Sequence, residues 1–257
     1  MQQPLLAFYA DMRQVTVPEN AVTLGPRVTT ETNAGDGAAD LQPLLFTYPP
    51  LVQVDVFSHI TAQVASILKK YFPEMSVALD HIMSSMPTDQ TGKEKLTAKL
   101  FLPGTDLTDC FPSNVPVEIL SLLFSHVVKP FIRRYVAMAL PLRDLNSWYR
   151  GDCPVCGAKP ALAVLEKDSK GKSLYCGFCE VKWRYYRLSC PFCSSRESQY
   201  IFIEGEEKYR IYLCEQCHSY IKTINAEKNL DEELDLFMEE INTIHLDLMA
   251  IRENYHR

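Results

Sequence analysis

Four Cys-x-x-Cys pairs decide the fold of this chain: Cys153-Pro-Val-Cys156, Cys176-Gly-Phe-Cys179, Cys190-Pro-Phe-Cys193 and Cys214-Glu-Gln-Cys217. In such a turn the two sulfurs lie on one side of the chain, and backbone N–H groups favour the thiolate form. Two facing turns supply four soft ligands in a tetrahedron, the arrangement that zinc or a single iron prefers. Nineteen residues separate the first two pairs and twenty separate the last two, as in hairpin-linked four-cysteine sites. The eight cysteines are therefore predicted to bind two metal ions, iron or zinc.

The cysteine region is also an internal repeat. Cys153-Pro-Val-Cys156 recurs as Cys190-Pro-Phe-Cys193 after 37 residues, and the second pair recurs as the fourth after 38. Between the pairs of each repeat lies a predicted β-hairpin, with turn signals at 170–172 and 205–207. We therefore predict two small β-ribbons in series, each held together by a bound metal ion. Pairing of the cysteines within each repeat closes the shorter loops, although an interleaved pairing also fits the spacing.

Two other uses of the cysteines, a disulfide framework and redox-active dithiols, are disfavoured. The first residues lack a basic region and an apolar run of the length that a signal peptide needs. Nine cysteines without such a signal indicate a reducing cytoplasm, where thiolates stay available to metal. No segment has the ~18 uninterrupted apolar residues of a membrane helix. We expect a cytoplasmic protein without membrane insertion.

The distribution of charge argues against nucleic-acid binding. Residues 151–222 carry 11 basic and 9 acidic groups, and residues 223–257 carry 3 and 9, in a chain of net charge −6. A nucleic-acid-binding protein needs a clustered basic surface to neutralise phosphates. A zinc-ribbon protein that binds nucleic acid is therefore the least favoured function class.

The first half of the chain is predicted to be an all-helical domain. Apolar residues recur at helical spacing from Asp55 to Pro73, and shorter helices are predicted at 77–83 and 93–102. Pro116 opens a long apolar helix that Pro130 is expected to kink and Pro141 ends. The histidines in these helices, at positions 59, 81 and 126, are expected to be surface or core residues rather than ligands.

A final helix is predicted after the cysteine region. Asn229 is a candidate N-cap, and Glu232 three residues later completes a capping box. Its predicted apolar stripe comprises Leu234, Phe237, Met238, Ile241, Ile244, Leu248 and Ile251. We expect this stripe to pack against the rest of the protein, with peptide binding as the alternative.

The cysteine region and the tail resemble the formate dehydrogenase accessory proteins, the FdhE family. The resemblance covers residues 148–257 and is carried by these segments: Asp152–Gly157, Tyr175–Glu180 with Trp183 and Arg187, Cys214–Cys217 with Tyr220–Lys222, and Thr243–Asp247 followed by Leu248–Ala250. The helical first half agrees in length and character but offers no sharp motif.

This resemblance implies a mainly α fold with small β metal modules in a cytoplasmic protein. The expected order is a helical domain at 1–148, rubredoxin-like (zinc-ribbon) four-cysteine modules at 149–188 and 189–225, and a C-terminal helix at 226–257. The family matures the molybdenum- or tungsten-containing catalytic subunit of formate dehydrogenase, which it contacts directly. The predicted metal ligands carry over one for one: Cys153, Cys156, Cys176, Cys179, Cys190, Cys193, Cys214 and Cys217. The sequence leaves the oligomeric state open, and a homodimer is compatible with it.

Two details bear on the metal and on the partner surface. Iron-binding rubredoxin turns place glycine after the second cysteine, because that position adopts positive φ. Only Gly157 meets this pattern, whereas Glu180, Ser194 and His218 stand at the other three positions, which leaves iron or zinc open. Trp183 and Arg187 are candidates for partner contact, with mutual stacking at the module junction as the favoured alternative.

Three function classes compete. The favoured one is a maturation factor whose metal modules are structural or redox-active. The second is a rubredoxin-like electron carrier, which would not need so large a helical domain. The third is a zinc-ribbon protein that binds nucleic acid. No hydrolytic constellation is present, and a four-cysteine site has no open position for water or substrate. We expect no enzymatic turnover and no catalytic residues.

Overall fold

The protein is described here by a computed structural model. It describes residues 2–28, 42–167, 171–196, 198–203, 206–226 and 234–256. The chain divides into two compact units, one comprising residues 1–30 and 45–140 and the other residues 31–44 and 141–257. The finer boundaries expected at 148, 188 and 225 remain predictions. No helix among the described residues combines the length and apolarity needed to cross a membrane.

The first unit is built mainly from helices, as predicted. Its helices are α1 (Gln2–Gln14), α2 (Leu44–Thr47, shared with the boundary of the second unit), α3 (Val54–Tyr71), α4 (Ser76–Ser84), α5 (Gln90–Leu100) and α6 (Val117–Ala139). The helix α6 continues through the buried Pro130. Phe57 of α3 packs on Phe124 and Phe131 of α6, with ring centroids 6.2 and 6.0 Å apart. The apolar faces of these two helices therefore form the centre of this unit.

The first unit also contains a small antiparallel sheet that the sequence did not predict. Strands β1 (Val22–Leu24) and β2 (Pro50–Val52) pair with Val22 opposite Val52. Each strand has only three residues, too few for an alternating pattern to stand out. Pro50 lies at the first position of its strand, where a missing N–H is tolerated.

His126 behaves as a core histidine. Its ring meets Phe8 edge to face, with centroids 5.3 Å apart. Burial lowers the pKa of His126 to about 4, because a charged imidazolium would lose its hydration there. Among the described residues, no histidine joins a group with metal-ligand geometry.

The second unit is organised on one six-stranded sheet. The strands are β3 (Leu162–Leu165), β4 (Lys172–Tyr175), β5 (Lys182–Tyr185), β6 (Ser198–Ile203), β7 (Glu206–Cys214) and β8 (Tyr220–Asn225). Each repeat supplies three consecutive antiparallel strands, β3–β5 from the first repeat and β6–β8 from the second. The spatial order is β5-β4-β3-β8-β7-β6.

The two repeats therefore share a sheet rather than forming separate ribbons. The join is parallel: Leu162 to Leu165 of β3 pair with Lys222 to Asn225 of β8. All residues of β3 and β8 are buried, as expected for strands covered on both faces. Because β3 comes early and β8 late in the chain, this pairing is non-local, and neither hairpin signal predicts it.

The tail forms two helices rather than one. They are α7 (Leu236–Asn242), capped by the Asp235 side chain, and α8 (Ile244–Arg252). The chain breaks at Thr243, whose hydroxyl donates to the Glu239 and Glu240 carbonyls. The predicted stripe does not continue across this break. In α8 the buried residues are Leu246 and Ala250, whereas Ile244, Leu248 and Ile251 are each more than half exposed. The predicted capping box at Asn229 lies outside the described residues.

Candidate metal centres

All four Cys-x-x-Cys turns have the same backbone hydrogen bonds. In each, the N–H four residues after the first cysteine donates to that cysteine's carbonyl, at 2.8–2.9 Å. The first cysteine's own N–H donates to the carbonyl five residues on, at 2.7–3.0 Å. Short sequences that differ in their central residues thus fold into four copies of one knuckle, each of which presents two sulfurs on the same side.

The knuckle requires positive φ at the residue after its second cysteine, whatever the residue type. The φ angles are 76° at Gly157, 65° at Glu180, 65° at Ser194 and 51° at His218. Only glycine adopts this conformation without steric cost. The missing glycines therefore do not alter the knuckle. His218 stands there as a turn residue, its ring 5.9 Å from that of Tyr255.

The first group of four cysteines is enclosed in the protein. It joins the first and second knuckles, with Sγ–Sγ distances of 3.3 Å for Cys153–Cys179 and 3.4 Å for Cys156–Cys176. None of the four side chains exceeds 2% exposure. The Cys179 N–H donates to the Cys176 sulfur at 3.4 Å, which favours the thiolate.

The second group has the same connectivity but lies closer to the surface. Its Sγ–Sγ distances are 3.8 Å for Cys190–Cys217 and 3.5 Å for Cys193–Cys214. Cys190 and Cys214 are buried, whereas Cys217 is half-buried and Cys193 is exposed. The Phe192 N–H donates to the Cys190 sulfur at 3.4 Å. Pairing within each repeat, the favoured prediction, is confirmed by both groups.

Without a cation, the pKa values of Cys176 and Cys179 in the first group shift in opposite directions. Hydrogen bonds from the other thiols, Cys153 first, hold the pKa of Cys176 well below its usual range. Burial followed by hydrogen bonding to Cys153 raises the pKa of Cys179 far above its ordinary value. One thiolate thus forms at the expense of its neighbours, as expected for interacting acids. Full ionisation requires a bound positive charge.

The donor set and its spacing fit a tetrahedral metal ion. In each group the four sulfurs lie within 4.8 Å of one another. Metal–sulfur bonds of about 2.3 Å place tetrahedral ligands about 3.8 Å apart, close to the closest observed separations of 3.3–3.8 Å. A disulfide would need about 2.05 Å, and all eight cysteines are free. Both groups could hold a metal ion, and their donor chemistry suits zinc and iron alike.

Comparison with known proteins connects these knuckles to one family. A family model described as the FdhE central domain matches residues 152–187. The FdhE homolog of Aquifex aeolicus is 28% identical over 195 residues, which cover 73% of this chain and 66% of that protein. The chain is thus similar to FdhE proteins, most clearly in the region of the first two knuckles. The FdhE homolog of Haemophilus ducreyi is 30% identical over 112 residues, covering 42% of this chain and 36% of that protein.

A solved FdhE structure supports the fold. The crystal structure of the FdhE protein from Pseudomonas aeruginosa matches with a TM-score of 0.58, over 79% of this chain and 71% of that one, at 19% identity. The matched region spans about two-thirds of the Aquifex FdhE homolog, at 66%, and a third of the Shewanella oneidensis one, at 32%.

The structure separates the two residues predicted to contact a partner. Trp183 is 1% exposed, and its indole N–H donates to the Arg150 carbonyl at 2.9 Å. Arg187 is exposed. Trp183 therefore holds the segment before the first knuckle in place and is inaccessible to a partner in this conformation. The indole that carries stacked guanidinium groups is Trp148, with Arg143 and Arg150 about 5 Å from its ring.

Two buried lysines of this protein were missed by sequence reasoning. Lys222, 1% exposed, donates to Asp247 at 2.8 Å, and Asp247 also accepts from the Tyr220 hydroxyl. These contacts join the two segments, 220–222 and 243–247, through which the family resemblance was noted. Lys172 donates to the Ser189 carbonyl at 2.7 Å beside the second cysteine group. Burial lowers the pKa of Lys172 to about 8.

Proposed function

We propose that this protein is an FdhE-type accessory factor for the maturation of formate dehydrogenase and that it binds the catalytic subunit of that enzyme. The observation that carries the proposal is the pair of complete four-cysteine groups inside the region that resembles the family. The buried Lys222–Asp247 pair further ties the family's tail segment to the cysteine-bearing sheet. This contact makes the tail part of the same functional unit.

The proposed ligands are the eight knuckle cysteines, four for each metal ion. Cys153, Cys156, Cys176 and Cys179 hold one ion, and Cys190, Cys193, Cys214 and Cys217 hold the other. A bound ion supplies folding free energy, about 10–16 kcal/mol for structural zinc in small peptides, and an iron would add one-electron chemistry. The chain contributes the knuckle N–H groups that stabilise thiolates and the apolar cover that excludes water from the first group.

A role without turnover follows from the completeness of these groups. Four thiolates fill the tetrahedral positions, whereas catalytic metals keep a position for water or substrate. We therefore propose that the protein acts by binding its client and not by transforming a substrate. The proposed location is the cytoplasm, where reduced thiols remain available to metal.

The decisive experiment combines metal analysis with client capture. Protein purified without oxygen from its native host is analysed for metal content and visible absorption. About two metal ions per chain are expected, with sulfur-to-iron absorption bands if the metal is iron. The tagged chain is also expected to capture the formate dehydrogenase catalytic subunit. Cysteines oxidised in pairs, with no metal, would contradict the metal sites, and absence of the subunit would contradict the maturation role.

Arg187 is the proposed contact residue to examine separately. Its exposed guanidinium can be removed without opening the core, whereas loss of the Trp183 side chain would leave a cavity. We expect Arg187→Ala to reduce capture of the catalytic subunit at unchanged metal content. Capture at the wild-type level would remove Arg187 from the partner surface.

Electron transfer is the second candidate function, because the second cysteine group approaches the surface. Exposure of Cys193 gives a redox partner short access to an ion bound there. A reversible one-electron couple in the isolated iron-loaded protein is the expected observation. Zinc in both groups of the native protein would exclude it.

A further inference from the structure

A groove between the two cysteine modules has the composition of a peptide-binding surface. It encloses about 450 Å³, within the range of ligand sites. Residues 149–152 and Lys159 line it from the first module, and residues 185–196 contribute from the module junction and third knuckle. The whole groove lies in the second unit.

Its floor is fixed by a close approach of the two modules. Gly151 lies against the third knuckle so tightly that an added Cβ would stand 1.8 Å from the Pro191 carbonyl oxygen. The Tyr185 hydroxyl donates to the Cys190 carbonyl at 2.9 Å, and the Trp183 indole N–H donates to the Arg150 carbonyl at 2.9 Å. The groove walls are therefore held in place by contacts across the junction.

The groove carries excess positive charge in an acidic protein. Among the described residues, its lining includes the cations Arg150, Lys159 and Arg196 and one carboxylate, Asp152. Arg150 already neutralises that carboxylate through two N–H bonds of 2.9 and 3.0 Å. Lys159 and Arg196 are exposed, and neither forms an ion pair with any described residue. The chain as a whole has a net charge of −6, so these two cations mark a local site for a negative group.

Exposed aromatic rings complete the surface. Tyr149 and Tyr186 are 39% and 56% exposed, and their ring centroids lie 5.3 Å apart. Tyrosine pairs of this kind provide large contact area with few rotatable bonds, and they are enriched where proteins meet. Rings beside cations suit a ligand with carboxylates and apolar side chains together.

We propose that this groove, defined by Tyr149, Lys159, Tyr186 and Arg196, binds an acidic peptide segment of a protein partner. Two free cations are too few to follow a nucleic-acid backbone but match two carboxylates of a short segment. The proposal extends the proposed function, since the segment would belong to the formate dehydrogenase catalytic subunit. Phe192 and Ser194 of the lining flank the exposed Cys193, so the bound segment would cover the open side of the second cysteine group.

The first test uses a defined probe and the metal-loaded full chain. A fluorescein-labelled peptide, Glu-Phe-Asp-Glu-Leu-Glu, is titrated by fluorescence anisotropy beside its neutral twin, Gln-Phe-Asn-Gln-Leu-Gln. We expect the acidic peptide to bind at least about tenfold more tightly, with affinity falling as salt rises. Equal binding of the two peptides would overturn the proposal, and so would preferential binding of a labelled thymidine oligonucleotide.

Matched charge reversals localise the binding. Lys159→Glu/Arg196→Glu is expected to weaken peptide binding by about tenfold or more, and Tyr186→Ala by about fivefold. The control Arg184→Glu/Arg252→Glu makes the same change of net charge at exposed positions outside the groove and should stay within about twofold. Equal losses in both double variants would overturn the assignment. Lys159→Gln/Arg196→Gln repeats the test if the reversal disturbs metal content.

Client capture by the same variants separates this proposal from the maturation role. Wild-type protein that binds the acidic peptide but captures no catalytic subunit would contradict the maturation role and leave the groove standing. Equal capture of the subunit by wild type and Lys159→Glu/Arg196→Glu would contradict the groove and leave the maturation role standing. We expect the wild-type protein to bind the acidic peptide and to capture the catalytic subunit, and we expect Lys159→Glu/Arg196→Glu to do neither.

Discussion

The two four-cysteine groups have the same knuckles but different surroundings. In the first, every cysteine is at most 2% exposed. In the second, Cys193 is exposed and Cys217 is half-buried. The second group opens beside the groove at Phe192 and Ser194. One metal-binding sequence pattern has thus been placed in an interior and in a surface environment.

The difference suggests a division of roles between the groups. A buried ion exchanges slowly and contributes chiefly to folding, because ligands and chelators reach it only when the structure opens. An ion at the surface is open to partners, electrons and competing ligands.

Loss of one cysteine should have unequal consequences in the two groups. Cys176→Ser removes a ligand from the buried group and leaves three cysteines there without a full metal site. We expect loss of that metal and destabilisation of several kcal/mol, since metal binding in small modules is folding free energy. Thermal unfolding and metal analysis measure both effects.

Cys193→Ser is the matched substitution in the second group. It should lower the metal content by one ion while the first ion and the fold of the sheet are retained. Equal destabilisation by Cys176→Ser and Cys193→Ser would show that the difference in burial has no energetic consequence.

Chelation should distinguish the groups kinetically. With a thiol-competing chelator in excess, we expect one ion to leave at least about tenfold faster than the other, because local exposure is sufficient for the second group and larger opening is needed for the first. Stopped-flow absorption with a chromogenic chelator follows the two phases. The Cys193→Ser variant should lack the fast phase. A single phase for both ions in the wild type would refute the kinetic difference.

Lys172 should support the second group selectively. Its ammonium group is buried, lies against the Tyr185 ring at 5.2 Å and lines a small cavity shared with Cys190 and Cys214. Two thiolate pairs around a divalent ion leave net negative charge, which a nearby cation stabilises. We expect Lys172→Met to speed the fast chelation phase by about three- to tenfold with little change in the slow one. Acceleration of both phases would instead indicate general destabilisation of the sheet.

The smallest expected effects concern the positive-φ position of the knuckles. Gly157→Ala should destabilise the first group by about 1 kcal/mol, because an L-residue with Cβ is disfavoured there. Ser194→Gly should relieve the same conformation in the second group and stabilise it by less than about 1 kcal/mol. Denaturant unfolding of the metal-loaded protein measures both. The same sign for the two substitutions would contradict the common knuckle geometry.

Local sequence patterns predicted most of the short-range structure of this molecule. The knuckles, their pairing within a repeat, the long helices and the four strands of the two hairpins, β3, β4, β6 and β7, all follow from spacing over fewer than about 30 residues. The third strand of each repeat, β5 or β8, was not predicted. The break at Thr243 was missed because no glycine or proline between residues 236 and 252 marks it.

Long-range features were not predictable in the same way. The parallel pairing of β3 with β8 joins residues about 60 positions apart, and no local signal specifies such a contact. The burial of Lys172 and Lys222 was not predicted, since lysine is rarely buried without a partner, and the partner of Lys222 lies in the tail. Burial of the first group and exposure of the second also follow from this tertiary arrangement, because the knuckle sequences themselves are nearly alike.

The head-to-tail join of the repeats gives the sheet two complementary edges, neither of which pairs with a further strand among the described residues. Inside the chain, the first strand of one repeat pairs with the last strand of the other, and the strands left outermost are β5 and β6, again a last and a first strand. A second molecule added in the same way would expose the same edge once more, so growth would not close and would yield filaments. The exposed side chains of β5 are Lys182, which pairs with Glu166 at 2.8 Å, and Arg184. A charged side chain such as Arg184 on an edge strand opposes such pairing between molecules.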